Sequence, residues 1–251
     1  MSEMKEKILR TALRLFAQEG YEAVSISRIA GALGLSKGAL YRHYRDKRDV
    51  LDSIVREMER RDAEGAQEYA LPGAEETEAM AARRTEENGA QETRAEGKSA
   101  GNTSGAREEE PSGGAEFSGA QREALTNGAE SPAVTPRQLT EYARRMVRYW
   151  TRDEFAADFR RMLTLEQYRD PEMARMLRQY LTIGPMEYTA LLLESMGVSH
   201  ARERAAALCG GMYMLICAGD GAEDASECIA LADAHLERMR RELERECAGI
   251  S

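Results

Sequence analysis

Apolar residues recur at the three- and four-residue spacing of helices over two parts of this 251-residue chain and thin out between them. In the first part Ile26, Ile29, Ala30 and Leu33 share one helical face, and Ser25 stands where a hydroxyl can accept a first-turn N–H. Gly34 follows where a helix C-terminus takes a left-handed residue, Leu35 plugs the corner, and Ser36 can cap a second helix whose Leu40 returns to the core. The small Ala30 suits the point where two helices cross. The pattern predicts a helix-turn-helix, with Lys37, Gly38, Ala39, Tyr41, Arg42, His43 and Tyr44 facing outward.

Helical periodicity returns from Pro136. Leu139, Tyr142, Met146 and Trp150 make one stripe, and Phe155, Phe159 and Met162 a second. Met173, Met176, Leu177 and Tyr180 make a third after Asp170-Pro171 restarts the helix. Gly184-Pro185 should break that segment, with Tyr188, Leu191, Leu192 and Met196 continuing to Gly197. No strand pattern appears, so the class is all-α: a three-helix N-terminal domain and a C-terminal helical bundle. The last two segments read as an oligomer interface. Ala205, Leu208, Met212 and Leu215 form a stripe on one, and Ile229, Ala232, Leu236, Met239 and Leu243 a stripe on the other. Cys209, Tyr213 and Ile216 widen the first stripe, and Gly210 and Gly211 would allow close contact. An ordinary monomeric core would show the same periodicity.

Between the two parts, from about Ala63 to Val134, only Tyr69, Leu71, Met80, Phe117, Leu125 and Val134 are larger apolar residues, among Ala, Gly, Glu, Ser and Thr. Such a segment buries too little to offset its ordering entropy and is expected to be disordered. The chain therefore divides into residues 1–61, an acidic insertion over 62–134, and an all-helical domain over 135–251. Charge follows that division. The whole chain is at -9, which argues against nucleic acid. Residues 1–61, however, hold 13 lysines and arginines against 9 acidic groups, a net +4. Residues 62–134 hold 6 against 16, a net -10, and residues 135–251 hold 16 against 19, a net -3. The acidity belongs to the middle.

The outward set of the second helix suits DNA. Gly38 and Ala39 leave room for close approach, and the first N–H groups attract phosphate. Lys37, Arg42, Arg45, Lys47 and Arg48 supply charge against only Asp46 and Asp49. Tyr41 and Tyr44 offer hydroxyls to phosphate, while Lys37, Arg42 or His43 can reach base edges.

Residues 5–55 resemble the N-terminal DNA-binding domain of the TetR family of transcriptional regulators. Leu9, Ala12, Leu13 and Phe16 match the core face of its first helix, and Gly20-Tyr21 its break before the second. Leu35 to Tyr44, with Asp46-Lys47 after it, is similar to its recognition helix and the start of its fourth helix. The resemblance implies that Ser25, Ser27, Tyr41 and Lys47 hold the DNA backbone, with Arg28, Ser36, Lys37, Gly38, Ala39, Arg42 and His43 near it or the bases. The family often carries a charged residue where Ser27 stands. It also joins its fourth and fifth helices briefly, whereas this chain inserts roughly 70 residues there; closing so long a loop costs only about 2 kcal/mol more than closing one of ~10. The resemblance further implies a homodimer that reads a palindromic operator in double-stranded DNA. It implies release by a small apolar or amphipathic effector, bound in a C-terminal pocket whose candidate lining is Trp150, Phe159, Met162, Tyr168, Tyr180, Met186, Tyr188 and Tyr213. Repression is the commoner outcome in such families.

The remaining chemistry narrows the classes further. Cys209, Cys217, Cys228 and Cys247 lack paired metal spacing, and His43, His200 and His235 are dispersed, so no metal or cofactor is implied. An enzyme is disfavoured because no nucleophile–base constellation is visible. A helical protein-interaction module and a thiol-redox-responsive regulator without a pocket stay as alternatives. Gly97-Lys98-Ser99 lacks the first glycine of a phosphate loop, and Asn102-Thr103-Ser104 means nothing without secretion. No apolar run approaches the roughly 20 residues of a membrane span, and the first residues lack a signal peptide's apolar core, so the expected compartment is the cytoplasm.

Overall fold

The computed structural model describes residues 3–68, 134–220 and 224–249, and these are helical throughout, with no strand. Of the insertion expected to be disordered over 62–134, residues 69–133, with the two discounted motifs, lie outside the described residues, while 62–68 are helical and Val134 is buried.

Four helices form the N-terminal part: α1 (Glu3–Glu19), α2 (Ile26–Ala32), α3 (Lys37–Tyr41) and α4 (Lys47–Glu68). Each start and stop has a local cause. The Gly20 N–H closes on Phe16 O at 3.0 Å, and Gly20 takes φ 86 to leave the helix. The Ser25 hydroxyl accepts the Arg28 N–H at 3.1 Å, and the Ser36 hydroxyl accepts that of Ala39 at 3.2 Å. Between these caps Gly34 takes φ 66 and the Leu35 N–H returns to Ala30 O at 2.9 Å, which makes the expected turn. Asp46 and Asp49, read only as opposing charges in the sequence, build the entry to α4. Asp46 accepts the Asp49 N–H at 2.8 Å, and Asp49 accepts the Arg45 N–H at 2.9 Å. The helix α4 runs past residue 61 to Glu68.

The C-terminal part comprises α5 (Pro136–Arg152), α6 (Glu154–Glu166), α7 (Pro171–Leu181), α8 (Ile183–Ser195), α9 (Ala201–Gly219) and α10 (Ser226–Gly249). Thr135 and Gln138 form a reciprocal capping box on α5, Asp153 caps α6, and Asp170 caps α7 ahead of Pro171. The break expected at Gly184-Pro185 falls at Thr182. Pro185 has no N–H to give to residue 181, so the ladder stops a turn before it. A Cβ on Gly184 would lie 2.0 Å from Gln179 O, so the bend closes only around glycine.

The two parts are not packed as separate cores. Ile8, Leu9 and Phe16 of α1 and Ile54 and Met58 of α4 share one apolar cluster with Trp150, Phe155, Phe159, Met162 and Met173. A second, smaller cluster joins Leu139, Tyr188, Leu192, Ala205 and Leu243. α1 packs on α6, and α4 meets α6 through the Arg61 guanidinium, 4.5 Å from the Phe155 ring centroid.

The proposed interface stripes must be reassigned. Ala205, Leu208, Met212, Ile229, Ala232, Leu236 and Leu243 are buried within the chain's own core, and Leu215 and Met239 pack half-buried against it. Periodicity located the apolar face; α5, α8 and the packing of α9 on α10 cover it. What α9 and α10 leave open is another face, where Met214 is 64% exposed and Leu231 53%.

Candidate nucleic-acid interface

The recognition segment is a short helix, five residues from Lys37 to Tyr41, held by the Ser36 cap at one end and by Leu40 in the core beneath. Ser25, Ser27, Arg28, Ser36, Lys37, Gly38, Tyr41 and Arg42 are exposed; Ala39 and His43 are half-buried. A Cβ built on Gly38 meets nothing within 4 Å. The protein's own packing therefore gives no reason for glycine there. The Lys37 ammonium lies 5.8 Å from the Tyr41 ring centroid, and Arg28 is tethered by Glu19 at 2.8 Å, so the face is basic and partly pre-ordered.

Two sequence candidates are placed otherwise. Tyr44 does not face outward: it is buried, and its hydroxyl donates to Lys5 O at 3.1 Å. Burial, with Asp49 nearby, pushes the phenol's pKa up to about 12. Tyr44 stands four residues after the buried Leu40, on the same helical face, and its N–H still returns to Leu40 O at 3.1 Å, so it turns in under α1 rather than outward. Lys47 is also engaged within the chain. Its ammonium donates to Tyr21 O at 2.8 Å and Glu22 O at 3.3 Å and stands 4.2 Å from the Tyr21 ring centroid. It satisfies carbonyls of the turn between α1 and α2, a task the spacing of charges could not reveal.

Three side chains that the sequence did not single out join this surface to the bundle. Glu166, at the end of α6 and 2% exposed, accepts the Tyr21 N–H at 2.7 Å. Glu172 takes two bonds from Arg48, at 2.7 and 3.0 Å, and Asp153 receives Arg61 at 3.4 Å. Each pairing spans more than 90 residues, so no local pattern encodes it.

In the bundle the candidate pocket residues divide. Phe159 and Met162 are fully buried with Trp150, and Tyr180 and Tyr213 pack against the same cluster, Tyr180 edge-on to Phe159 at 5.8 Å. Met186 and Tyr188 belong to the second cluster, where Tyr188 meets Tyr142 at 5.7 Å. Tyr168 is 90% exposed in the turn after α6 and lines no interior space. A separate groove on the outside, between α5 and α10, is polar and lined by Arg137, Thr140, Glu141, Arg144, Glu237 and Arg240. Beneath α9, Arg160 is 1% exposed and forms a two-pronged pair with Asp220, one bond being 2.6 Å. Among the described residues, no group of three or more His, Cys, Asp or Glu is placed to hold a metal ion, and no helix is long and apolar enough to cross a membrane. The four cysteines are unbridged and half-buried.

Residues 8–54 match the model of the bacterial regulatory proteins of the tetR family. The YerO protein of Bacillus subtilis, an HTH-type transcriptional regulator, is 47% identical over 51 residues, which are 20% of this chain and 18% of that protein. The AcrR transcriptional regulator of Shigella flexneri is 44% identical over 52 residues, 21% of this chain and 24% of its own. The chain thus matches less than a quarter of the length of either relative. A TetR-family transcriptional regulator of Pectobacterium atrosepticum aligns over 96% of this chain and 94% of its own at 16% identity and a TM-score of 0.41.

Proposed function

From the premise that residues 8–54 are a TetR-family N-terminal domain, we propose that the chain is a sequence-specific DNA-binding transcriptional regulator. The observation that carries this is the open surface at Gly38. A glycine that the fold does not require stands on a basic helix face between exposed Lys37, Tyr41 and Arg42, where a Cβ would obstruct only something approaching from outside. On this reading Ser25, Ser27, Ser36 and Tyr41 bond phosphate, and Arg28, Lys37, Arg42 and His43 reach base edges, with Ala39 as an apolar contact. Lys47 serves the DNA indirectly, by fixing the turn at Tyr21.

The regulator acts as a homodimer. Supporting this is the open face of α9 and α10, on which Met214 and Leu231 are exposed and Gly210 and Gly211 have nothing within 4 Å of a built Cβ. Two recognition helices about one DNA turn apart, roughly 34–36 Å, then read a palindrome. A small apolar or amphipathic molecule bound among Trp150, Phe159, Met162, Tyr180 and Tyr213 would release DNA if it favours a different separation. Repression relieved by that effector is the proposed outcome.

Salt dependence distinguishes this reading from a protein-interaction module. Duplex DNA selected by the purified chain should lose about a thousandfold or more in affinity between 50 and 200 mM salt, as expected for six or more phosphate contacts. Salt-insensitive binding would contradict it.

A further inference from the structure

We propose that Glu166 is the positioning residue through which the C-terminal bundle fixes the orientation of the DNA-reading domain. This deepens the reading above and rests on it.

Glu166 ends α6, and its Oε1 accepts the Tyr21 N–H at 2.7 Å across 145 residues of sequence. In a helix closed by glycine, the N–H following the glycine ordinarily turns back to the helix's own last carbonyls. Here the Gly20 N–H does so, onto Phe16 O, while the Tyr21 donor goes to the other part of the molecule. The φ of 86 at Gly20 requires glycine, and a Cβ there would lie 2.9 Å from the same Oε1, so any side chain at residue 20 would also push the carboxylate aside.

Tyr21 is gripped from its other side as well. Lys47, the first residue of α4, donates to Tyr21 O at 2.8 Å and lies over its ring, and the ring packs edge-on to Phe16 at 5.1 Å. Glu166 thus holds the N–H and Lys47 the carbonyl of one residue. A displacement of the α6 end passes through residue 21 to the start of α4, six residues past the end of the recognition helix at Tyr41. The neighbouring link, Arg48 with Glu172, is half-exposed on both sides. Exposed pairs are screened and rearrange readily, so they transmit little. Beside the shared apolar cluster, the buried carboxylate is the directional polar connection.

The test uses the full chain and a duplex that the wild type selects from random DNA, together with the same duplex carrying two extra central base pairs, and a single half-site. Amide exchange at Tyr21 is read in parallel. In Glu166→Ala, Tyr21 protection and discrimination between the two spacings should each fall about tenfold, in the usual range of coupling between sites. Half-site affinity should stay within about twofold, as the contact is remote from the DNA face. Glu166→Gln, whose amide oxygen still accepts the N–H, should retain both properties. Unchanged protection or unchanged discrimination in Glu166→Ala would overturn the proposal. So would a loss of half-site affinity as large as the loss of discrimination, since that would mean Glu166 only stabilises the domain. A wild type that selects no duplex would overturn the DNA reading itself, and the role of Glu166 with it, while exchange at Tyr21 would still report whether the contact forms.

Discussion

Tyr41 and Tyr44 stand three residues apart in a segment read from sequence as one outward face, yet only Tyr41 reaches solvent, while Tyr44 is buried with its hydroxyl on Lys5 O. The difference gives paired expectations. Tyr44→Phe should cost about 0.5–1.5 kcal/mol in urea unfolding, the net worth of one hydrogen bond, and leave DNA affinity alone. Tyr41→Phe should leave unfolding unchanged and weaken all DNA sequences alike. At the opposite end of the molecule, Arg160 is 1% exposed and depends on Asp220. Burial works against ionisation of Asp220, but hydrogen bonds and charge from Arg160 and Arg161 outweigh it and hold the carboxyl below its ordinary value. A carboxylate with a lowered folded-state pKa contributes stability that is complete above about 3.9 and lost as pH falls through the folded value. Asp220→Asn leaves the buried guanidinium without its counter-charge and should cost about 3 kcal/mol at neutral pH, the low end for a broken buried pair because Asp220 is itself a quarter exposed. The deficit relative to wild type should narrow as pH falls below the ordinary carboxylate range. A deficit that persists in acid would mean that packing, not charge, holds Arg160. Neither pairing was visible in the sequence, since Arg160 lies 60 residues from Asp220 and reads as one of two adjacent arginines on α6.

At the scale of elements, what is local was legible. The caps at Ser25, Ser36 and Asp170, the corner at Gly34 and the core positions Ile26, Ile29 and Leu40 all follow from spacing, because each bond closes within a turn or two. What failed was the outward reading of Tyr44, set against its four-residue spacing from Leu40, and the choice of which neighbour covers an apolar stripe. Gly38 offers a sharp separation of fold from function at this scale. Gly38→Ala has open space for its methyl, so the variant should fold at least as stably, by up to about 1 kcal/mol from helix propensity, while binding selected DNA at least tenfold more weakly. Ser36→Ala should do the reverse in part, costing about 1 kcal/mol of stability through the lost cap. Thermal unfolding alongside anisotropy of labelled DNA reads both; a Gly38→Ala protein that binds normally would remove the observation on which the functional reading stands.

For the whole molecule, the continuous apolar cluster linking α1 and α4 to the bundle makes the N-terminal part an extension of the body rather than a tethered unit. The boundary drawn in the sequence at residue 61 followed the change in composition; α4 continues through it to Glu68. The apolar stripes of α9 and α10 were found correctly as apolar, and the proposed homodimer would use instead the exposed Met214 and Leu231. Charging that face with Met214→Glu and Leu231→Glu should give a monomer in sedimentation velocity without lowering the unfolding temperature, whereas Leu236→Glu, in the core, should unfold the chain. The account's central claim is a paired reader built on α3, and a footprint of the full chain on the DNA upstream of its own gene tests it most directly. Two symmetric protected half-sites about 34–36 Å apart, abolished together by Lys37→Ala with Arg42→Ala, are predicted. Protection without sequence preference, or an unchanged footprint with the double variant, would contradict it.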